Sequence, residues 1–407
     1  MNQADTAWML IATALVLLMT PALGFFYGGL VRSKNALNTL MMSFISLGFV
    51  GVLWALVGYS LAFTEGSNWI GDMSNAWLTG VGLEAKGTIP HALFMAYQAT
   101  FCIITAALIS GAIVERMRFS AYIVFISVWS VVVYAPIAHW VWGGGWLADV
   151  GALDFAGGTV VHVNAGIAAL VAAAVVGKRQ EYPSSSLLPH NVPFVLLGAG
   201  LLWFGWFGFN AGSALAASPI AGLALVTTML APAATLVVWT FLDIIKSGKP
   251  TAVGAATAIV VGLVAVTPAA GFVSPMNAIL LGAIAAVPSF LAMTIRAKTS
   301  LDDSLDVVAA HGVGGATGAL LTGVFAQKSF NGVADGLLYG NPGQVMVQAT
   351  AIGAAIVYSG VVTFILLKLI GLVMPLRAAS MDEGAGLDIT LHGEEAYLQV
   401  GDASRHI

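Results

Sequence analysis

Charged residues are scarce in this chain. Of its 407 residues, 8% are Asp, Glu, Lys or Arg, whereas 59% are hydrophobic. A soluble domain has about 25% charged residues, so the composition excludes a soluble globular protein and predicts an integral membrane protein. The 47 glycines agree with this, because glycine is frequent in membrane helices, where it lets backbones approach closely.

Cysteine and the short motifs of enzymes are also scarce or missing. The single cysteine, Cys102, excludes an internal disulfide bond and any metal site built from several cysteines. The triple glycine at 143–145 lacks the spacing and the Lys-Ser/Thr of a phosphate loop, and no G-x-S-x-G motif occurs. We therefore expect no enzyme, no metal and no cofactor. The net charge of −4 is too small to indicate a partner, and no nucleic acid is predicted.

Apolar stretches long enough to cross about 30 Å of hydrocarbon recur along the chain. The first follows residues that lack the basic region and cleavage site of a secretory signal, so we expect it to be a spanning helix. These stretches predict an all-α polytopic membrane domain over residues 1–371, followed by a polar tail over 372–407. We predict eleven spans, near residues 8–30, 39–63, 91–114, 119–140, 155–177, 193–214, 219–243, 252–270, 276–296, 305–326 and 344–370.

The basic residues predict the direction of the spans. All but two of the 15 lysines and arginines fall on one set of connections or at the C-terminal end, the exceptions being Lys86 and Lys328. Basic residues concentrate on the cytoplasmic side of a membrane. We therefore expect a multi-pass protein of the cytoplasmic membrane, with its N-terminus outside and its C-terminus inside. An odd number of spans requires the same arrangement.

Two histidines, His162 and His311, lie within apolar stretches. A titratable group at membrane depth is costly unless it faces a partner or a pathway. His162 follows Asp154, and His311 follows Asp306. At 1.5 Å per residue, the histidines lie roughly 12 Å and 8 Å beyond these aspartates, in spans of opposite direction. This pattern favours an inverted repeat of spans 1–5 and 6–10, with span 11 added. The imidazoles, neutral because of burial, could share a hydrogen bond beside a pore, or each could bond a backbone carbonyl.

Aromatic residues cluster where the outer mouth of such a pore is expected. Trp142, Phe101 and Tyr97 could present ring faces to a cation, a contact worth roughly 1–2 kcal/mol when partly desolvated, and Ser213 could add a hydroxyl acceptor. The alternative for each ring is a belt at the membrane interface. Asp154 also has two interpretations, as a helix cap or as a charge that stabilises a cation at the mouth.

Segments along nearly the whole chain closely resemble the ammonium transporter family, whose relatives include the methylammonium permeases and the Rhesus proteins. The polar segment GLDITLHGEEAY at 386–397 resembles the cytoplasmic tail of that family. The other matching segments are FFYGGLVRSKN at 25–35, YQATFCIITAALISGAIVERMRFSA at 97–121, AHWVWGGGWL at 138–147, GALDFAGGTVVHVNAG at 151–166, GWFGFNAGSA at 205–214, TPAAGFV at 267–273 and SLDVVAAHGVGG at 304–315.

The resemblance implies a homotrimer in the lipid bilayer, with one pore per subunit, that carries ammonium or ammonia and accepts methylammonium as an analogue. The implied tail partner is the PII nitrogen-signalling protein. Two departures from the family are Tyr97, where Phe is frequent, and the tail sequence EGAGLD. The implied sites are an outer recruitment site of Trp142, Ser213, Phe101, Tyr97 and Asp154, a gate of Phe101 and Phe209, a pore of His162, His311, Trp206 and Thr267, and a regulatory tail with Gly386, Leu387, Asp388, His392, Gly393 and Glu394.

Several functions are compatible with this pattern. We favour electrogenic transport, in which ammonium is recruited, loses a proton and crosses as ammonia with net movement of charge. One alternative is a neutral ammonia channel, and another is an ammonium sensor that signals through its tail, although the tail is short for a signalling domain. A channel for water, glycerol or urea usually carries Asn-Pro-Ala, which does not occur here.

Overall fold

The structure is a computed structural model that describes residues 1–183 and 187–397. Within these residues, ten helical segments are long and apolar enough to cross a membrane, and an eleventh apolar helix is shorter. This agrees with the predicted all-α polytopic fold. In chain order, spans 1 to 11 are Gln3–Leu30, Ser33–Phe63, His91–Ser110, Phe119–Asp149, Gly158–Val176, Val192–Gly212, Pro219–Ser247, Ala252–Val266, Pro275–Arg296, Val308–Phe325 and Gly343–Val373.

Four of the spans contain a π-helical turn, in which each N–H bonds a carbonyl five residues back. The turns are Trp54–Gly58, Ser130–Tyr134, Gly158–Val163 and Val308–Val313. The α-helices are α1 Gln3–Leu30, α2 Ala36–Leu53, α3 Tyr59–Phe63, α4 His91–Ser110, α5 Phe119–Trp129, α6 Ala135–Trp142, α7 Trp146–Asp149, α8 Asn164–Val176, α9 Val192–Gly212, α10 Pro219–Ser247, α11 Ala252–Val266, α12 Pro275–Arg296, α13 Gly314–Phe325, α14 Lys328–Asn331, α15 Gly343–Val373, α16 Ser380–Ala385 and α17 Leu387–His392.

Two short antiparallel hairpins lie between spans 2 and 3. Strand β1 (Gly66–Ser67) pairs with β2 (Ile70–Gly71), and β3 (Ala85–Lys86) pairs with β4 (Ile89–Pro90). The remaining elements are 3₁₀ turns at Ser33–Asn35, Ala76–Leu78 and Leu337–Tyr339.

Polar side chains at the helix starts satisfy backbone N–H groups that have no partner within a helix. Asn191 caps α9, Ser218 caps α10, Thr251 caps α11 and Ser274 caps α12. Such caps matter in a membrane protein, because lipid offers the backbone no hydrogen bonds.

Span 8 is shorter than predicted. The prediction placed it at 252–270, whereas α11 ends at Val266 and residues 267–272 form turns. Pro268 accounts for the difference, because proline has no N–H to donate to the carbonyl of Val264, four residues before it, and so cannot continue the helix.

The first residues of the chain and the described part of its tail lie on opposite faces of the helix bundle. On the N-terminal face, the Asn2 N–H donates to the carbonyl of Thr88 in the β3–β4 hairpin (2.7 Å). On the opposite, C-terminal face, the tail packs against the start of span 2, where Asp388 accepts from the N–H groups of Leu37 (3.0 Å) and Asn38 (2.7 Å). Thus most of the predicted tail is folded, while residues 398–407, including Arg405, lie outside the described residues.

Spans 5 and 10 form the centre of the bundle. They cross so closely that a Cβ on Gly166 would lie 2.3 Å from the N atom of Gly312, and a Cβ on Gly315 would lie 2.9 Å from the carbonyl O of Gly158. Only glycine permits this approach. Span 1 packs along span 6 in a similar way, since a Cβ on Gly208 would lie 2.8 Å from the carbonyl O of Ala12.

The two central spans are related as the inverted repeat predicts, but with a different aspartate. His162 and His311 are 149 residues apart, and the same separation relates Asp154 to Asp303. Asp303 accepts from the N–H groups of Val307 (3.1 Å) and Val308 (2.7 Å) and so caps span 10.

The pairing of Asp306 with His311 in the sequence prediction was therefore wrong. Asp306 is three residues closer to the histidine than Asp303 and lies at a left-handed φ of 58°, the position that Gly157 occupies at φ 113° in the first half. Its carboxylate pairs with Arg296 (2.8 Å) instead of capping the helix.

An ionic cluster joins the loops of the C-terminal face. Glu115 contacts Arg32 (3.0 Å) and Arg179 (2.7 Å), and Arg179 also binds Asp302 (2.8 Å). Burial alone would raise the pKa of Glu115, but Arg179 and Arg32 outweigh it and hold that pKa below its ordinary value. The cluster thereby ties together the segments that follow spans 1, 3, 5 and 9.

The crossing of spans 5 and 10 is testable with one added methyl group. We expect Gly166→Ala to lower the free energy of unfolding by about 1–3 kcal/mol, the usual cost of overpacking a core. Gly353→Ala is the matched control, because a Cβ at this helical glycine meets nothing within 4 Å. Thermal unfolding in detergent measures both variants, and equal midpoints would contradict the close crossing.

Candidate functional site

Three spaces follow one another through the bundle. The first, here called the vestibule, opens on the N-terminal face and has a volume of about 300 Å³. The second, the pore chamber, admits the centre of a water-sized sphere over only about 10 Å³, roughly what a single water molecule needs. The third, the inner cavity, lies towards the C-terminal face and has a volume of about 320 Å³. They define a path with a narrow, nearly filled middle.

The vestibule has mostly aromatic walls. Three of the predicted recruitment residues line it, namely Phe101, Trp142 and Ser213. Its remaining lining residues are Phe63, Phe94, Gln98, Val141, Phe155 and Leu215. Sequence reasoning missed Phe94 and Gln98, although their spacing of seven and three residues before Phe101 puts all three on one face of α4.

Hydrogen bonds hold the vestibule side chains in place. The Trp142 indole N–H donates to the carbonyl of Asp154 (2.9 Å), and the Ser213 hydroxyl donates to the carbonyl of Phe209 (2.8 Å). With its proton committed there, the Ser213 oxygen keeps lone pairs free to accept.

Tyr97 lies behind this wall and is fully buried. Its hydroxyl lies 3.3 Å from the Ser213 Oγ and within 3.0 Å of the carbonyl oxygens of Gly208 and Phe209. The Tyr97 hydroxyl thus joins α4 to the end of α9, a contact that a phenylalanine at this position would lack. Tyr97 is not among the residues that line the vestibule.

The two predicted gate residues close the bottom of the vestibule. The Phe101 and Phe209 rings are stacked, with centroids 4.1 Å apart and an angle of 20° between their planes. Rings at this separation are in van der Waals contact and leave no passage between them. Trp142 stands edge-on to Phe101 at 6.0 Å.

The two histidines meet in the pore chamber. Nδ1 of His162 and Nδ1 of His311 are 3.2 Å apart, a hydrogen-bond distance. Nε2 of His162 is buried and has no protein partner among the described residues. Apart from this edge the chamber is almost entirely apolar, with lining residues Met19, Leu23, Phe26, Ile104, Leu108, Val161, Leu202, Trp206, Phe209 and Val260.

Trp206 and Thr267 support the histidine pair. The Trp206 ring stacks on His162 with centroids 5.4 Å apart, and its indole N–H donates to the Thr267 hydroxyl (2.9 Å). The Thr267 hydroxyl in turn donates to the carbonyl of Leu263 (2.7 Å). Trp206 lines the chamber, whereas Thr267 lies behind it and orients the indole.

Asp154 is placed as a cap of span 5. Its carboxylate accepts from four backbone N–H groups at 2.6–3.1 Å, those of Gly157, Gly158, Thr159 and Val160. Asp154 is 94% buried (6% exposed) and does not line the vestibule. The Asp154 carboxylate therefore fixes the start of the histidine-bearing segment, and the Asp154 backbone carbonyl fixes the position of Trp142.

The inner cavity differs from the vestibule in chemistry. Its walls include His311 and Phe26 at the end of the pore chamber, then the charged pair Arg296 and Asp306. Burial, together with the neighbouring Asp306 carboxylate, raises the pKa of Asp303 beside it to about 7.

The predicted regulatory tail forms a second, separate group on the C-terminal face. Leu387 N–H donates to the Asn35 side chain (2.8 Å), and the His392 ring lies 2.9 Å from the Asn38 amide. Gly386 and Gly393 have left-handed φ of 114° and 70° at the two ends of α17, while Glu394 is exposed. Asp388 reaches the start of α2, as described above.

The fold defines a multi-pass membrane protein, and the three spaces form an interrupted row of cavities through its helix bundle. Comparison with known proteins is more specific. The sequence pattern of the Ammonium Transporter Family matches residues 7–397, and the chain belongs to this family. An "Ammonium transporter" of Bacillus subtilis (strain 168) is 48% identical over 402 residues, which cover 98% of this chain and 99% of that protein.

Solved structures share the fold. Mep2 of Saccharomyces cerevisiae superposes with a TM-score of 0.88 at 36% identity, over 94% of this chain and 88% of that one. A protein described as "Sensor Amt Protein" superposes with a TM-score of 0.88 at 31% identity, over 95% of this chain and 97% of its own.

The two interpretations of Asp154 predict different outcomes for one substitution. If the carboxylate acts as a cap, Asp154→Asn leaves N–H groups without an acceptor, and we expect a loss of about 1–3 kcal/mol of stability for each. Asp149→Asn, at an exposed aspartate nearby, is the control. Thermal unfolding and methylammonium uptake are measured on both variants. Normal stability with lost uptake would instead favour a direct role of the charge.

Proposed function

We propose that this chain transports ammonium across the cytoplasmic membrane. Ammonium is recruited in the vestibule at Trp142, Phe101 and Ser213, loses a proton near the Phe101/Phe209 gate and crosses the pore chamber as ammonia. The single observation that carries this proposal is the stacked aromatic gate leading directly to the bonded histidine pair, inside a chain that belongs to the ammonium transporter family.

The vestibule suits a small cation that donates hydrogen bonds. Aromatic faces attract a cation through their quadrupole, and the Ser213 oxygen can accept from an N–H. Ammonium satisfies both, and Asp154 stays buried as a cap. Recruitment by rings and a hydroxyl, without a free carboxylate, keeps the site weak enough for the cation to proceed.

The histidine pair suits ammonia. When two neutral imidazoles share an Nδ1···Nδ1 hydrogen bond, one ring carries its proton on Nδ1 and the other on Nε2. The pair then presents one Nε2 that accepts and one Nε2–H that donates. Ammonia can donate to the first and accept from the second, and the orphaned Nε2 of His162 is one of these positions.

Selectivity against potassium follows from the loss of the proton. Potassium resembles ammonium in size and charge, so a cation site alone would not separate them. The pore chamber is apolar and admits about one water-sized molecule, and a charge there would lose its hydration at high cost. Ammonium avoids that cost by giving up a proton, which potassium lacks.

We further propose net movement of charge: the proton released near the gate crosses the membrane separately from ammonia and rejoins it on the inner side, so that one positive charge crosses for each ammonium taken up. A vestibule built for a cation favours this uptake of ammonium over uptake of ammonia gas. The alternatives are a neutral ammonia channel and a sensor. The similarity to the "Sensor Amt Protein" supports the sensor as a second candidate function. On the family's pattern, the chain would act as a homotrimer, with its tail as the docking site for PII.

The experiment that tests transport is a current measurement on purified protein in liposomes adsorbed to a solid-supported membrane. An ammonium pulse should give a current, and a potassium pulse of equal concentration should not. An internal pH change without a current would indicate a neutral ammonia channel. The absence of both a current and a pH change would favour the sensor.

The histidine pair can be tested in the same assay. We expect His162→Ala and His311→Ala to keep a folded oligomer but to reduce the ammonium current or let potassium carry current, because the donor and acceptor edges of the pore are lost. Size-exclusion chromatography in detergent checks assembly. Loss of the oligomer in both variants would mean that the pair has a structural role only.

The tail proposal is tested by truncation after Arg377. Residues 378–397 lie outside the eleven spans and contact them only at the C-terminal face, so the truncated chain should remain folded. We expect altered transport, because the cap that Asp388 provides to α2 is removed, or loss of PII binding in a pull-down with purified PII. Unchanged behaviour in both assays would contradict a regulatory tail.

A further inference from the structure

A lysine side chain fills an aromatic cage on the N-terminal face. Nζ of Lys86 lies 5.0 Å from the ring centroid of Phe94 and 5.5 Å from that of Tyr59. It also donates to the carbonyl of Phe63 (3.3 Å). Both ring distances are within the range of a cation–π contact. The cage thus offers an ammonium group two π faces and one carbonyl oxygen.

The cage and the vestibule share a wall. Phe63 and Phe94 line the vestibule and contact each other edge-on at 5.2 Å. A cation in the cage is therefore next to a cation in the vestibule, separated by the thickness of these rings. The two charges repel each other, and the shared rings cannot serve both equally.

The cage is held in place without Lys86. Tyr59 is fully buried and stacks on Phe63 at 5.8 Å. Its hydroxyl lies 2.5 Å from Nε2 of His91, whose Nδ1 lies 3.1 Å from the Glu84 carboxylate. This chain of contacts fixes the Tyr59 ring independently of the lysine, so the cage persists when the amine leaves.

Lys86 is held by fewer contacts than Tyr59. It sits on the two-residue strand β3, next to the tip of a hairpin, and its long stem is half-buried. Among the ion pairs formed within residues 1–183 and 187–397, none involves Lys86. The amine is held by rings and one carbonyl only, and burial lowers its pKa.

We propose that the cage of Tyr59, Phe63 and Phe94 is a second cation site at the entrance of the vestibule, and that Lys86 occupies it as a tethered competitor of ammonium. Ammonium or methylammonium in the medium would displace the amine and take its place before entering the vestibule. Binding at the cage does not require transport. Only the expected effect of the cage on uptake rests on the proposed transport of ammonium.

Acylation of lysines in the wild-type protein tests displacement directly. The purified protein is labelled with a water-soluble N-hydroxysuccinimide ester, with methylammonium chloride or with sodium chloride of equal ionic strength, and the extent of labelling at each lysine is read by mass spectrometry. Because methylamine consumes part of the ester, labelling at Lys86 is expressed as a ratio to labelling at Lys328, the other lysine of that face, in the same reaction. We expect methylammonium to raise this ratio by about threefold, from the strength of an ordinary cation–π contact. An equal ratio in the two salts would overturn the proposal.

Uptake provides a second measurement. Lys86→Met keeps an unbranched stem and removes the competing charge, so the concentration of methylammonium at half-maximal uptake should fall by about threefold. Lys328→Met should leave it unchanged. A half-maximal concentration that stays the same or rises in Lys86→Met would contradict competition. If the wild type shows displacement at Lys86 but no transport, the transport proposal fails and the cage proposal stands. If it shows transport but no displacement at Lys86, the cage proposal fails and the transport proposal stands.

Discussion

The hydrogen bond between His162 and His311 sets the requirements for the rest of the molecule. A 3.2 Å contact between two side chains from opposite spans is possible only if the backbones nearly touch. Gly166 and Gly315, which allow no side chain at the crossing, meet that requirement. Water would compete for this hydrogen bond. Lipid supplies none, so the protein around the pair must also keep water away. The Trp206 ring and the Phe209 gate pack over the pair and keep its surroundings apolar.

The aspartate caps carry the same constraint to the ends of the central spans. Spans 5 and 10 both begin with a π-helical turn, which displaces the usual pattern of backbone bonds and leaves several N–H groups pointing at the loop. Asp154 and Asp303 accept those N–H groups. A charged side chain costs much to bury, yet four backbone donors at Asp154 offset part of that cost. The position of each histidine thus depends on a carboxylate eight residues before it.

Much of this could be predicted from the sequence. Span number, polar tail and the meeting of the two histidines follow from long apolar runs and from titratable groups inside them, and the family follows from motifs. Two features could not be predicted. The choice of Asp303 over Asp306 depends on backbone φ, and the vestibule wall depends on contacts between α3, α4 and a loop far apart in sequence. Both depend on tertiary geometry that a linear pattern does not encode. The early end of span 8 is different, because Pro268 is a local signal that the prediction passed over.

The repeat also explains how one backbone design has two different mouths. Phe155 lines the vestibule, and the residue at the same place in the second half, Ser304, lines the inner cavity. Gly157 likewise corresponds to Asp306, which brings a carboxylate and its partner Arg296 to the inner side. In the proposed mechanism, the aromatic rings hold a cation that then loses its proton, and the charged walls of the inner cavity stabilise the cation once a proton is regained. Related spans with unlike side chains therefore give the two mouths different chemistry around a shared histidine pair.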